Sequence, residues 1–220
     1  ASDLFIKTPD GKKILDGVNL EICAGERVAL LGENGAGKST FVKTIMGEQQ
    51  LPIDGKIFVG PSVKIGYIPQ IIEFENGDQT LLEYFTKAVG LPEQRCRSIL
   101  ARFRFDVEDV NKRVKNLSGG EKMRVKMAEL LQYEVNTLIF DEPTNHIDIP
   151  TKEVLEEALE EFSGTLIFVS HDRFFINKFA DKILVFRDGK VKQYWGNYDE
   201  YKESLVTEEK VLEYGKQRKK

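Results

Sequence analysis

The chain has 220 residues, 41% of them hydrophobic and 31% charged, with a formal net charge of -4. That length holds one well-buried domain with a small appended lobe, and the composition excludes a disordered or fibrous chain. The mild acidity excludes nucleic-acid binding by a strongly basic whole-domain surface, so any such affinity has to come from a local patch or from segments outside this sequence. No apolar run approaches the roughly 20 residues needed to cross a bilayer, and Ala1-Ser-Asp-Leu-Phe5 lacks the basic and apolar regions of a signal peptide. A cytoplasmic location is the expectation, and Ala1 in place of an initiator Met leads us to expect a segment of a longer protein. Cys23 and Cys96 belong to no C-x-x-C pair, and both are read as small packing residues.

In chain order, Glu26-Arg-Val-Ala-Leu-Leu31 is a short apolar run that predicts a strand. Gly32-Glu-Asn-Gly-Ala-Gly-Lys-Ser39 follows it and fits G-x-x-x-x-G-K-[ST], and Lys38 to Met46 reads as a helix. Strand, loop, helix is the context this phosphate-binding pattern requires. Gly32, Gly35 and Gly37 permit backbone conformations that turn successive N–H groups toward phosphate oxygens, with Glu33, Asn34 and Ala36 completing the loop and the helix N-terminus adding its positive end. Lys38 is expected to reach the β- and γ-phosphates, and the Ser39 hydroxyl to bind Mg²⁺. Thr40 is counted with the nucleotide-binding residues but reads as part of the helix.

Between about Ile71 and Tyr133 the runs Leu81 to Val89, Gln94 to Phe105 and Gly119 to Gln132 all read as helices, which predicts a helical lobe, about 71–134, inserted into an α/β core. Leu117-Ser-Gly-Gly-Glu121 heads the last of them, so Ser118, Gly119 and Gly120 form an N-terminal anion site of their own. An ordinary Ser-capped helix start is the competing reading, and it leaves the Gly-Gly unaccounted for. Two anion sites so far apart in sequence need not serve one ligand within one chain.

Leu138-Ile-Phe140 and Thr165-Leu-Ile-Phe-Val169 predict buried parallel strands with functional groups at their carboxyl ends. Asp141 and Glu142 end the first, His171 follows the second, and the stripe Val154, Leu155, Ala158, Leu159, Phe162 predicts a crossover helix between them. Adjacent carboxylates at a strand end are costly unless they organise a cation or a water; the alternative is a solvated acidic turn. From Asn197 onward the pattern is charged and helical, with Tyr198, Tyr201, Leu205, Val211 and Leu212 interspersed, ending in Lys216-Gln-Arg-Lys-Lys220. Residues 206–220 read as a charged helical tail that needs a partner or as the start of a linker, with a frayed solvated tail as the competing reading for the last ten residues.

The phosphate loop, Leu117-Ser-Gly-Gly-Glu121, Leu138-Ile-Phe-Asp-Glu142 and Ser170-His-Asp172, in this order, resemble the ATP-binding cassette family over roughly residues 3 to 205. The resemblance implies an α/β P-loop cassette with a mainly parallel core sheet, an antiparallel β part and the inserted helical lobe, acting as a Mg²⁺-dependent ATPase. It assigns Asp141 to Mg²⁺, usually through water, Glu142 to the general base, and His171 to the γ-phosphate. Gln70, closing Lys64-Ile-Gly-Tyr-Ile-Pro-Gln70, matches the glutamine that joins core to lobe and senses Mg²⁺ and the attacking water. Ser118 to Gly120 would close over the γ-phosphate of a second cassette in a head-to-tail sandwich, with Asp148 coupling the two sites. His146 is assigned no chemistry and is expected to pack or hydrogen-bond across an interface. One family feature is missing: the aromatic residue that stacks on adenine is replaced by Pro9 in Lys7-Thr-Pro-Asp-Gly11, and Phe5 is either its substitute or a core residue.

Asp141-Glu-Pro-Thr-Asn-His-Ile-Asp148, Leu117-Ser-Gly-Gly-Glu-Lys122, Ser170-His-Asp-Arg-Phe174 and Tyr194-Trp-Gly-Asn-Tyr198 are similar to the F subfamily, soluble tandem ATPases that act on ribosomes as translation or antibiotic-protection factors. Transporters of the superfamily more often have Thr-Ser or Ser-Ala at Asn145-His146 and Gln at Glu121; Ile147 departs from the usual Leu. Such proteins join two cassettes by a long helical linker that approaches tRNA. Glu121-Lys-Met-Arg-Val-Lys126 and Phe168 to Ile176 look more like the second cassette, while the charged tail equally fits the opening of a linker. The implied partners are a second cassette and the ribosome with its rRNA and tRNA. A nucleotide-binding subunit of a membrane transporter stays as the alternative, and Glu142 with His171 argues against a non-hydrolysing switch.

Overall fold

The computed structural model describes residues 1–48, 51, 53–143 and 147–217. The chain opens with strands β1 (Ser2–Lys7), β2 (Lys13–Val18) and β3 (Arg27–Leu31), then helix α1 (Lys38–Ile45) and strands β4 (Ile53–Lys56) and β5 (Ile65–Ile68). Helices α2 (Leu81–Val89), α3 (Glu93–Arg102) and α4 (Gly119–Leu130) follow, then strand β6 (Thr137–Asp141) and helix α5 (Ile149–Glu161). Strand β7 (Thr165–Val169), helix α6 (Arg173–Phe179), strands β8 (Lys182–Arg187) and β9 (Lys190–Trp195) and helix α7 (Tyr198–Gln217) complete it. These elements fall into two compact units: Ala1–Pro61 with Thr165–Lys220, and Ser62–Gly164.

In the first unit, β1 lies between β2 and β4 in an antiparallel sheet, with Leu4 opposite Val18 and Phe5 opposite Asp54. A second sheet runs β7-β3-β8-β9, parallel except for β9. Every residue of β7 is buried, as are Val28, Ala29 and Leu30 of β3. That is why both read as continuous apolar runs: a parallel strand covered on both faces has no side to turn to water. The aromatic core is tightly engaged, with Phe41 of α1 5.5 Å from Phe186 of β8 and Phe168 of β7 edge-on to Phe175 of α6 at 5.3 Å. Cys23 corrects the packing expectation. It is exposed, in the turn leading into β3, where its amide donates to Glu26 Oε2 at 3.0 Å and no apolar surface covers it. Cys96, in the second unit, is buried.

In the second unit β5 and β6 pair in parallel, with Gly66 opposite Leu138 and Ile68 opposite Phe140. Leu81 and Phe85 of α2, Cys96 and Leu100 of α3, Val125 and Met127 of α4 and Leu155 and Leu159 of α5 form its buried core. A reciprocal cap starts α2: Thr80 Oγ1 accepts from the Glu83 amide and Glu83 from the Thr80 amide. Helix α3 stops at Arg102, short of the expected Phe105. The backbone turns left-handed at Arg104 (φ 60°), and the Phe103 and Arg104 carbonyls accept from the Arg124 guanidinium at 2.8 and 2.9 Å instead of continuing the helix.

Candidate nucleotide site

The phosphate loop lies in the first unit, between β3 and α1. A Cβ at Gly32 would stand 2.4 Å from the Phe186 carbonyl oxygen, so only glycine lets the loop leave β3 against β8. Gly37 is the N-cap of α1 with φ 103° and ψ 6°, a left-handed conformation in which a side chain would be strained and would press on Ile14 of β2. The Ala36 amide closes the turn onto the Glu33 carbonyl at 3.1 Å, and Glu33, Asn34 and Gly35 form its exposed tip.

Lys38 is buried to 6% exposure, and its Nζ donates to the Gly32 and Glu33 carbonyls at 2.7 and 3.0 Å. The ammonium is thereby folded back over the loop that it follows. Ser39 is exposed in the first turn of α1 and Thr40 is half-buried in the helix. The first-turn amides of a helix have no acceptor within it, and together with the ammonium they make an anion cradle.

His171 belongs to the same unit. Strand β7 pairs in parallel with β3, Leu30 opposite Val169, so the phosphate loop and Ser170-His171 leave the same carboxyl edge of adjacent strands. His171 is exposed, and the segment around it is anchored: the Asp172 amide donates to Ser170 Oγ at 3.1 Å, and the Asp172 carboxylate caps α6 through the Phe174 and Phe175 amides.

The second unit carries Gln70, Ser118 to Gly120, Asp141, Glu142 and Asp148. Gln70 follows β5 and Asp141 ends β6, and their parallel pairing brings Gln70 Nε2 to 3.5 Å from Glu142 Oε2, the outer limit of a hydrogen bond. Glu142 has φ 55°, a left-handed backbone that costs a non-glycine residue about 1–2 kcal/mol and that accumulates at functional sites. Within this unit the carboxylate of Asp141 and the side-chain oxygen of Gln70 are hard oxygen donors of the kind Mg²⁺ takes, and in the first unit the exposed Ser39 hydroxyl is another. Among the described residues no three His, Cys, Asp or Glu side chains cluster into a metal site. His146 lies outside the described residues.

Ser118 is the N-cap of α4, its Oγ accepting from the Glu121 amide at 3.2 Å while Glu121 accepts from the Ser118 amide at 2.7 Å. Burial opposes ionisation of Glu121, but the Ser118 amide and the nearby Lys112 ammonium outweigh it and hold the carboxyl below its ordinary range. The two glycines that follow differ in kind. A Cβ at Gly120 would meet Thr151 Oγ1 at 2.7 Å and Asp148 Oδ2 at 3.3 Å, so the first turns of α4 and α5 touch there; a Cβ at Gly119 meets nothing within 4 Å among the described residues. Asp148 caps α5 by accepting from the Thr151 amide at 2.7 Å, which holds its carboxyl below the usual range. The sequence marks Thr151 only as the start of the crossover helix; its contact with Gly120 is not legible there, although Asp148-x-x-Thr151 before an apolar stripe is the spacing of a capped helix start.

Pro9 is exposed in a turn closed by hydrogen bonds between Thr8 and Lys12. Phe5 is half-buried with its ring against Gly17 of the neighbouring strand.

Compared with known proteins, residues 15–145 match the family model described as ABC transporter. The chain belongs to the ATP-binding cassette family. Its relatives include the putative ATP-binding protein YdiF of Bacillus subtilis, 43% identical over 96% of this chain and 33% of YdiF. ABC transporter F family member 2 of Arabidopsis thaliana is 39% identical over 90% of this chain and 29% of its own length. The energy-dependent translational throttle protein EttA of Escherichia coli is 39% identical over 90% of this chain and 36% of its own. The cassette thus spans about a third of the length of these relatives. Among solved structures, an ATP-binding subunit of an ABC transporter superposes with a TM-score of 0.75 at 26% identity, covering 93% of this chain and 92% of that one. A dimeric post-hydrolysis cassette bound to ADP and Pi shares the fold at a TM-score of 0.70 and 23% identity, covering 88% of this chain and 97% of that one. No helix among the described residues is long and apolar enough to cross a membrane.

Proposed function

We propose that this cassette binds and hydrolyses ATP together with a second cassette, head to tail, as part of an F-type protein that acts on the ribosome. The observation that carries the hydrolytic reading is the Gln70 amide standing at the Glu142 carboxylate, a water-orienting group beside a base.

Lys38 exchanges its two loop carbonyls for β- and γ-phosphate oxygens, a charge-assisted contact in a buried setting. Ser39, Asp141 through water and Gln70 would hold Mg²⁺, which when bound would supply charge neutralisation on the phosphates. Glu142 takes the proton of the attacking water, Gln70 orients that water, and His171 hydrogen-bonds a γ-phosphate oxygen. Glu33, Asn34, Ala36 and Thr40 line the cradle with the three glycines of the loop.

What supports a second cassette is Gly119. Packing explains Gly120, whereas among the described residues nothing lies within 4 Å of a Cβ at 119, which leaves the α4 N-terminus open to a phosphate from another cassette. Ser118 can still donate its hydroxyl proton to that phosphate while its oxygen caps α4, and Asp148, in contact with Gly120, couples the two sites.

What supports the ribosomal reading is the F-type sequence and a relative named as a translational throttle. The full-length protein carrying Glu142→Gln, with the equivalent change in its other cassette, tests it on sucrose gradients with ATP present. Migration with ribosomes is the expected result; a variant that stays in the soluble or membrane fraction overturns the ribosomal reading, the membrane result favouring a transporter subunit.

A further inference from the structure

The segment between Gln70 and α2 carries no strand or helix over residues 71–79, and Ile71 within it is 74% exposed. Strand β5 anchors Gln70 from its N-terminal side, and on the C-terminal side side-chain and loop contacts take the place of regular structure. At its far end the segment is laced to the stretch preceding Ser118: the Leu81 amide donates to Lys112 O at 2.8 Å, the Val114 amide to Gln79 O at 3.0 Å and the Lys115 amide to Gly77 O at 3.1 Å. Asp78 accepts from Lys115 and Arg113 at 2.6 and 3.2 Å, but these side chains are all more than half exposed and such pairs hold little.

The stronger fixing is closer to Gln70. Phe74 packs edge-on to Tyr84 of α2 with ring centroids 4.6 Å apart, and the Tyr84 hydroxyl donates to Glu129 Oε2 of α4 at 2.7 Å. Glu129 is 7% exposed, and its other oxygen accepts from Lys126 at 3.0 Å. A buried carboxylate with both oxygens engaged makes charge-assisted bonds, and loss of one donor leaves part of its desolvation uncompensated. Tyr84 is therefore held in one place, and Phe74 rests on it.

We propose that Tyr84 and Glu129 are positioning residues that refer the Gln70 segment to α4, setting Gln70 against Glu142 for the chemical step. Neither touches substrate. Helix α4 is also the helix that Ser118 caps, so the latch fixes the water-orienting amide and the second anion site to one element. The inference rests on the site reading of Gln70 and Glu142 given above.

A double-mutant cycle on ATP turnover tests it, with Mg²⁺ and ATP as the only ligands and the folded state of each variant checked by thermal melting. Tyr84→Phe keeps the ring under Phe74 and removes only the hydroxyl; it should lower kcat about fivefold with KM for ATP unchanged. Gln70→Ala should lower kcat at least as far, and adding Tyr84→Phe to it should cost nothing more. Glu129→Gln, which still accepts from Tyr84, should keep most of the turnover that Glu129→Ala loses. Reduced turnover in Gln70→Ala with an additive or absent effect of Tyr84→Phe overturns the latch alone. Unchanged turnover in Gln70→Ala overturns the site reading, and the latch with it.

Discussion

Gln70 Nε2 and Glu142 Oε2 stand 3.5 Å apart, although 72 positions separate them in the chain. Two parallel strands bring this about: β5 and β6 run in register and end together, and each releases one polar side chain at its carboxyl end. The left-handed backbone at Glu142 completes the arrangement, at a conformational cost of the kind that gathers at functional sites.

Lys38→Ala removes the ammonium that the Gly32 and Glu33 carbonyls hold over the loop. Charge-assisted contacts of this kind are worth about 1.5–3 kcal/mol, so ATP affinity should fall by at least roughly tenfold. Nucleotide titration of the folded variant measures it, and unchanged affinity would remove the phosphate-loop assignment.

The two glycines after Ser118 should separate stability from activity. Gly120→Ala drives a methyl into Thr151 and Asp148 and should destabilise the fold by about 1–3 kcal/mol. Gly119→Ala meets nothing within 4 Å among the described residues and should melt like the parent, within about 0.5 kcal/mol, yet lose the part of ATP turnover that rises with protein concentration. Melting curves and turnover across a dilution series check both, and equal behaviour of the two variants would contradict the account of Gly119.

These glycines mark how far the sequence carries. The phosphate loop, the strand-end carboxylates and the helical runs are legible because each rests on local periodicity or on a fixed spacing. The S-x-x-E cap at Ser118 and Glu121 is local too. The reason for Gly120 is not, because it depends on Thr151 arriving from another helix. Nor is the left-handed turn at Glu142, where no glycine announces it. Helix α3 reads too long for a related reason: Arg124, on a different helix, takes the carbonyls that would have continued it. Cys23 reads as a packing residue and is exposed instead, because a small apolar residue carries no signal of its own in a turn.

Asp148 gives a pH prediction. Its folded pKa lies below the ordinary carboxylate value because the Thr151 amide favours the charged form. Its contribution to stability is therefore complete above the unfolded value, near pH 4, and is lost as pH falls through the folded one. Asp148→Asn still caps the helix but cannot titrate. Urea midpoints measured from neutral pH down to about pH 2 should fall less steeply for the variant; parallel curves would show that the cap is not what ionisation supports.

The most direct test of the proposed hydrolytic site is Glu142→Gln, which keeps the size of the side chain and removes the proposed base. ATP affinity and steady-state turnover are measured on the same preparation. The variant should bind ATP as the parent does and lose turnover by about 100-fold or more. Turnover at the parent's rate with ATP bound would contradict Glu142 as the general base.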